Sequence, residues 1–303
     1  MRISLGIPIL AAWGWWCAAV GAEDAPKITL EGKQEVLCLD GLADPKRWAP
    51  AECTVEASRD LKAEDRATLH VHIPVDHLGG EKKYPIGWPR IYLNLQEAEK
   101  RWAEFERFEF LVHAKMSRKT PPKDVLNLQI HCPKRPRVLN RNLAEIQLGR
   151  WVRVSIPTRR IPHVADVARL GLNIAESNYA HGDKLDFYFG AFRLVRSAEL
   201  CVTSMDVRSK VMFEGQAGLK VEADVGGPPE KVGKGLPLTL RQGKRVLGRW
   251  TLPVKAGLQT LEIDISKLKL PPGTYTLAAF DDDAQRRKTG AFRVVESPWE
   301  QRR

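Results

Sequence analysis

Apolar and polar residues alternate with a period of two through most of this chain. The stretches "ATLHVHI" (67–73), "RFEFLVHA" (107–114), "VLNLQIH" (125–131), "WVRVSIP" (151–157), "RLGLNIA" (169–175) and "LDFYFGAFRLV" (185–195) alternate or run apolar over a short length. Pro, Gly, Asp or Lys clusters bound them, so each reads as a β-strand. A second series follows: "LKVEADV" (219–225), "LPLTLRQ" (236–242), "RVLGRWTLPV" (245–254), "LQTLEIDI" (258–265), "TYTLAAFD" (274–281) and "GAFRVVE" (290–296). Between the two series, "RSAELCVTSMD" (196–206) breaks the alternation and places a boundary near residue 200. One helix candidate is 95–105, which has the right formers but reads equally as a structured loop, and a short turn of helix is expected over 163–168. Many short strands joined by turn-rich connections imply an all-β protein of sandwiches or barrels.

The alternation also sorts side chains by face. In "GWPRIYLNLQ" (87–96), Ile91, Leu93 and Leu95 point one way and Arg90, Tyr92 and Asn94 the other. The strand at 125–131 likewise presents Asn127, Gln129 and His131, and the one at 169–175 presents Asn173. Joined in one sheet, these faces form a floor of amides with Tyr92, and with Tyr188 from a further strand, rising from it. Amides both donate and accept hydrogen bonds, and an aromatic ring packs on the apolar C–H face of a sugar ring. Trp88, in the loop entering this strand, is placed to rim the groove. The competing reading of the same faces is the solvated side of an ordinary sandwich.

The N-terminus changes the compartment. Arg2 is followed by the apolar run "ISLGIPILAAWGWWCAAV" and then small residues before Glu23, the pattern of a secretory signal peptide over residues 1–22. The mature protein is therefore expected outside the cytoplasm, secreted or periplasmic, with no transmembrane segment. In an oxidising compartment Cys38 and Cys53 are expected to pair, while Cys132 and Cys201 either pair or stay reduced. A zinc site is not expected, because no C-x-x-C or clustered His–Cys spacing occurs. His70 and His72 share a strand face, and His113 and His131 are expected on neighbouring strands; all four read as solvent-facing rather than metal-bound.

The formal net charge of +11 argues about partners, not fold. An exported chain seldom meets nucleic acid, so acidic glycans or an anionic envelope are the expected counterparts. The loop "HCPKRPRVLNRN" (131–142) gathers Lys134, Arg135, Arg137 and Arg141, a set suited to sulfate, uronate or phosphate groups. Catalytic signatures are missing: no G-x-S-x-G elbow, P-loop or H-E-x-x-H occurs. Glycoside hydrolysis would need two converging carboxylates, and only Glu176 is placed near the floor.

The order "WPRIYLNL", "RWAEFERFEFLVHA", "LGRWVRVSIP", "LGLNIAES", "GDKLDFYFGAFRLV" resembles the galactose-binding-domain-like jelly rolls that serve as carbohydrate-binding modules in bacterial secreted proteins. The resemblance covers roughly residues 35 to 197. It implies a jelly-roll sandwich, with Trp102 and Trp151 largely buried. Relatives close the last strand with acidic residues that hold a structural calcium; here the corresponding run is Tyr188, Phe189, Gly190 and Ala191, so a calcium site would fall to Asp40, Asp44, Asp183 and Asp186. Farther on, "LPPGTYTL" (270–277) looks like the tyrosine corner of immunoglobulin-like sandwiches, with Tyr275 at a strand start.

The expected organisation is thus a signal peptide (1–22), a jelly-roll domain (27–198), a smaller immunoglobulin-like sandwich (203–296) and a tail (297–303). The expected function is non-catalytic binding of a polysaccharide through Trp88, Arg90, Tyr92, Asn94, Asn127, Gln129, Asn173 and Tyr188. The alternatives are a cell-envelope scaffold that engages protein partners and, behind it, a glycoside hydrolase or polysaccharide lyase.

Overall fold

The computed structural model describes residues 28–39, 44–79 and 86–298, and the fold is all-β. The signal-peptide segment, Asp40 and the end of the tail lie outside the described residues. Among the described residues, twelve strands precede residue 198. They are β1 (Ile28–Glu31), β2 (Gln34–Cys38), β3 (Trp48–Ala51), β4 (Thr54–Ala63), β5 (Arg66–Pro74) and β6 (Arg90–Asn94), then β7 (Arg107–Met116), β8 (Asn127–Cys132), β9 (Arg135–Asn142), β10 (Trp151–Pro157), β11 (Arg169–Asn173) and β12 (Lys184–Ser197).

These strands form two facing sheets. One is five-stranded, ordered β3-β6-β11-β8-β9; the other is seven-stranded and organised around β12. Along one edge β12 pairs with β7, which carries β10 beyond it; along the other it pairs first with β5 and then with β2. The register shift between Gly190 and Arg193, with Ala191 at φ 52°, is the bulge that lets one strand serve two partners. Gly190 has to be glycine, because a Cβ there would lie 2.5 Å from that of Ala63.

The core between the sheets is built by the apolar half of each alternation. Phe108, Phe110, Phe187 and Phe189 from the seven-stranded sheet face Ile91, Leu93, Leu128, Ile130, Leu170 and Leu172 from the five-stranded one. Each such side chain contributes about 1.5–3 kcal/mol on burial, which commits every strand to one register and fixes which residues face outward. Trp102 is fully buried against Phe108, as expected, whereas Trp151 is only half-buried, on the outer face of β10. Trp48 packs on Phe192 inside the core.

A second core begins at Leu200. Its strands are β13 (Cys201–Val207), β14 (Val211–Phe213), β15 (Gly218–Gly226), β16 (Leu236–Gln242), β17 (Arg245–Leu252), β18 (Gly257–Asp264), β19 (Gly273–Ala279) and β20 (Lys288–Val295). They form a three-stranded sheet, β13-β15-β18, and a five-stranded one, β14-β20-β19-β16-β17. The buried Tyr275 hydroxyl donates to the carbonyl of Pro271 at 2.6 Å, the turn-closing bond expected of "LPPGTYTL".

Several expectations are corrected. Of the two readings of 95–105 the structured loop holds, with two 3-10 turns, Glu97–Glu99 and Trp102–Glu104, in place of a helix. Glu99 is drawn away from solvent to cap the Gln96 backbone and to bind Arg47 with both oxygens, at 2.8 Å each. At 163–168 the expected turn is a 3-10 turn over Val164–Asp166. Cys38 and Cys53 are not bonded to each other, and the structure contains no disulfide among the described residues. Cys38 ends β2 in the seven-stranded sheet, while Cys53 lies against the five-stranded one, its thiol donating to the Arg90 carbonyl at 3.4 Å. Among the described residues no helix is long and apolar enough to cross a membrane.

Candidate functional site

The outer face of the five-stranded sheet brings together nearly all of the predicted floor. The registers of β6, β11, β8 and β9 align the outward residues into cross-strand rows. One row reads Arg90, Asn173, Asn127, Asn142; the next reads Tyr92, Gly171, Gln129, Asn140; a third reads Asn94, Arg169, His131. Arg169, Gly171, Asn140 and Asn142 were not among the expected site residues, although the alternation that selects Asn173 also selects Arg169 and Gly171.

Gly171 makes room for the ring of Tyr92: a Cβ at this position would lie 2.6 Å from Tyr92 Cε1. The guanidinium of Arg169 sits 4.6 Å from the centroid of the same ring, and His131 meets it edge-on at 5.6 Å. Tyr92 is therefore partly covered by its neighbours, and the exposed aromatic surface belongs to Trp88, 46% exposed. Two carboxylates hold the Trp88 loop: Glu52 accepts from the Trp88 amide, and Glu176 accepts from the amides of Gly87 (2.7 Å) and Asp76 (3.2 Å). Glu176 is buried beneath this loop, so the one acid expected near the floor serves as an anchor for it. The indole Nε1–H of Trp88 donates to Asn173 Oδ1 at 2.9 Å, and the guanidinium of Arg137 lies 5.1 Å from the indole ring.

Beneath these side chains the polar atoms are left without partners. Gln129 is 1% exposed, Asn173 3% and His131 4%. Gln129 Oε1, Asn173 Nδ2, His131 Nε2 and Asn142 Oδ1 have no hydrogen-bond partner, four of the seven such buried side-chain atoms among the described residues. Burial, reinforced by the charges of Arg169 and Arg137, pushes the His131 imidazole down to about 4, so the ring is neutral at pH 7. Its Nδ1 accepts from the Arg137 amide at 3.2 Å, which places the proton on Nε2. The face thus offers two unused donors, Asn173 Nδ2 and His131 Nε2, beside two unused acceptors.

Other expected site residues lie elsewhere. Tyr188 is outward-facing on β12 of the opposite sheet, 8% exposed, stacked on His70 at 4.4 Å and met edge-on by His113. His113 belongs to that sheet and His131 to the other, so the two are not neighbours, and both are buried rather than solvent-facing. The basic run is strand β9, not a loop; Pro136 is tolerated because β9 is an edge strand. Pairing sends its cations apart. Arg141 lies opposite the core residue Leu128 and binds Glu145 at 2.6 Å, Arg135 meets His163 Nε2 at 2.8 Å, Lys134 sits at the hairpin turn, and only Arg137 reaches the outer face.

The three described aspartates of the calcium expectation do not converge. Asp44 caps the turn at Pro45, Asp183 accepts from the Ala180 amide at 2.9 Å, and Asp186 lies between His70 and His72 at 2.9 and 2.8 Å. Among the described residues no group of three or more His, Cys, Asp or Glu side chains is arranged to hold a metal ion.

No protein-family model matches the chain, and no curated protein matches it. Among solved structures it is similar to a beta-1,2-glucanase from Parabacteroides distasonis, with 12% identity and a TM-score of 0.37 over 89% of this chain and 37% of the glucanase. It is also similar to the Endo-D glycoside hydrolase domain from Streptococcus pneumoniae R6 (8% identity, TM-score 0.29, 81% of this chain and 36% of that one). A third is a carbohydrate-binding module described for specific mannan recognition, at 16% identity and TM-score 0.28, covering 53% of this chain and 95% of the module. The chain thus spans little more than a third of the first two proteins. These scores are low, and the chemistry of the face has to come from its own residues.

Proposed function

We propose that this protein is an exported, non-catalytic carbohydrate-binding protein, a jelly-roll module followed by an immunoglobulin-like sandwich, that takes its ligand on the outer face of the five-stranded sheet. The observation that carries this reading is the set of partnerless buried atoms on Gln129, His131, Asn142 and Asn173, gathered on one face. A buried polar atom without a partner costs about 1–3 kcal/mol. Sugar hydroxyls each donate and accept, which matches a floor with both kinds of vacancy. Trp88 supplies the apolar surface for a pyranose C–H face, held in place by its bond to Asn173. Five strands about 4.8 Å apart make a platform about 19 Å wide, an open surface suited to several units of a polymer.

The test is binding of the protein and its Trp88→Ala variant to an array of neutral and acidic polysaccharides. Saturable binding to one glycan class is expected, weakened about 30-fold in the variant, the ~2 kcal/mol of a truncated aromatic anchor. Trp88 is largely outside the core, so the variant keeps its fold. Equal affinity in a folded variant would remove the face from the reading.

One observation favours a protein partner instead. Val211 and Phe213 are exposed on β14, a strand at the edge of the second five-stranded sheet, where an envelope partner could add to the sheet or pack on the apolar side chains. No binding across the array, with self-association lost in Phe213→Lys, would favour the scaffold.

A further inference from the structure

Three arginines on the proposed glycan face are spent on rings and carbonyls. Arg90 donates to the carbonyl of Trp88 at 3.0 Å, Arg137 lies against the Trp88 indole, and Arg169 lies against Tyr92. Among the described residues no carboxylate forms an ion pair with any of the three. The opposite sheet of the same sandwich differs. On the outer face of the opposite sheet, Arg107, Arg153 and Arg193 all reach Glu109, at 2.6, 3.4 and 3.4 Å.

We propose that the sugar recognised by this face carries an anionic group, a carboxylate or a sulfate, received by Arg137 and Arg169 beside the Nε2–H of His131. The inference rests on the carbohydrate reading and narrows its substrate class. Arg137 and Arg169 both approach His131, one through its backbone amide at 3.2 Å and the other through its guanidinium at 3.3 Å to the same Nδ1. Their charges converge on a buried, neutral imidazole whose remaining N–H is unused. A planar guanidinium matches an oxyanion with two parallel bonds, and it leaves a ring face for a carboxylate at little desolvation cost because it is weakly hydrated. A neutral sugar seated here would bury both cations without compensating either. The residues differ from those the basic run suggests: Arg135 and Arg141 are engaged elsewhere, and Arg169 comes from another strand.

The experiment uses the full chain and two backbone-matched pairs of polymers that differ in charge: polygalacturonate against its methyl ester, and dextran sulfate against dextran, each at physiological salt. At least one anionic polymer should bind about tenfold or more tightly than its neutral partner, and Arg137→Gln with Arg169→Gln should erase that preference. Arg137→Gln alone, an exposed change on an edge strand, should reduce it and guards against loss of fold in the double variant. Preference within the first pair identifies a carboxylate, and within the second a sulfate. Equal binding within both pairs, lost in Trp88→Ala, overturns the anionic ligand and leaves the carbohydrate reading standing. A preference that survives in the folded double variant belongs to the general basicity of the chain and overturns it too. No binding of any polymer overturns both readings.

Discussion

The two outer faces of the first sandwich use the same residue types to opposite ends. On the seven-stranded face Glu109 is buried among Arg107, Arg153 and Arg193, and Glu64 adds bonds to Arg153 and Arg193 at 2.8 and 3.3 Å. Its aromatic groups are also paired, Tyr188 stacking on His70 within 5° of parallel. Among the described residues, one nitrogen of His113 is the buried side-chain polar atom on that face without a partner. On the five-stranded face arginines meet rings, and amides face one another across strands with atoms unused. A face completed by its own side chains holds the sheet together. A face left incomplete, at a cost in stability, is where the proposed ligand would supply the missing partners.

The largest effect that separates the two faces is expected at Glu109. Burial alone pushes its carboxyl up, but Arg107, Arg193 and Arg153 more than offset this, and the group is held below the ordinary carboxylate range. Glu109→Gln leaves three guanidiniums around a neutral amide and should destabilise the fold by about 3 kcal/mol. Arg137→Gln on the other face removes no ion pair and should stay within about 0.5 kcal/mol of the parent. Denaturant unfolding of both variants checks this; equal losses would mean that the second face is as self-sufficient as the first.

Gly171→Ala probes how closely the five-stranded face is fitted. The added methyl would meet Tyr92 Cε1 and Cδ1 at 2.6 and 2.8 Å, so the ring has to leave its seat, and with it the contact to Arg169. A loss of about 1–2 kcal/mol in stability is expected, together with weaker glycan binding. Unchanged binding in a folded variant would separate Tyr92 from the site and leave Trp88 as its aromatic element.

Why the floor was readable in advance, and Tyr188 was not, follows from what alternation encodes. Period two assigns a residue to a face of its own strand, so Arg90, Tyr92, Asn94, Asn127, Gln129 and Asn173 separate from the core residues between them. It does not say which sheet a strand joins; Tyr188 alternates as well as Tyr92 does but belongs to β12 in the other layer. For the same reason the expected pairing of Cys38 with Cys53 fails, since consecutive strands here switch sheets. In "RPRVLNRN" the Pro concealed a strand, and with it the rule that sends Arg141 inward with Leu139 while Asn140 and Asn142 face out. The partnerless atoms are invisible in the sequence, because a polar side chain looks identical whether or not its neighbours reach it.

The last effect is a slope with pH, and its sign follows from His131. Folded, the imidazole titrates at about 4; unfolded, it titrates at about 6.5. Between these values the unfolded chain binds a proton that the folded chain does not, so the stabilisation is complete above about pH 6.5, declines as pH falls through the window, and levels off below about pH 4. His131→Gln keeps an N–H donor near the Nε2 position without titrating, so its stability should lack this slope while sharing every other titration of the parent. Glu109 does not interfere, because a carboxyl held low keeps its stabilisation above the ordinary glutamate value of about 4.3 and loses it only below. Unfolding free energies of the two proteins across this window give the slope by difference. Parallel curves would mean that the imidazole charges freely on the folded surface, and the face would then be solvated and complete with water rather than dry and waiting for a ligand.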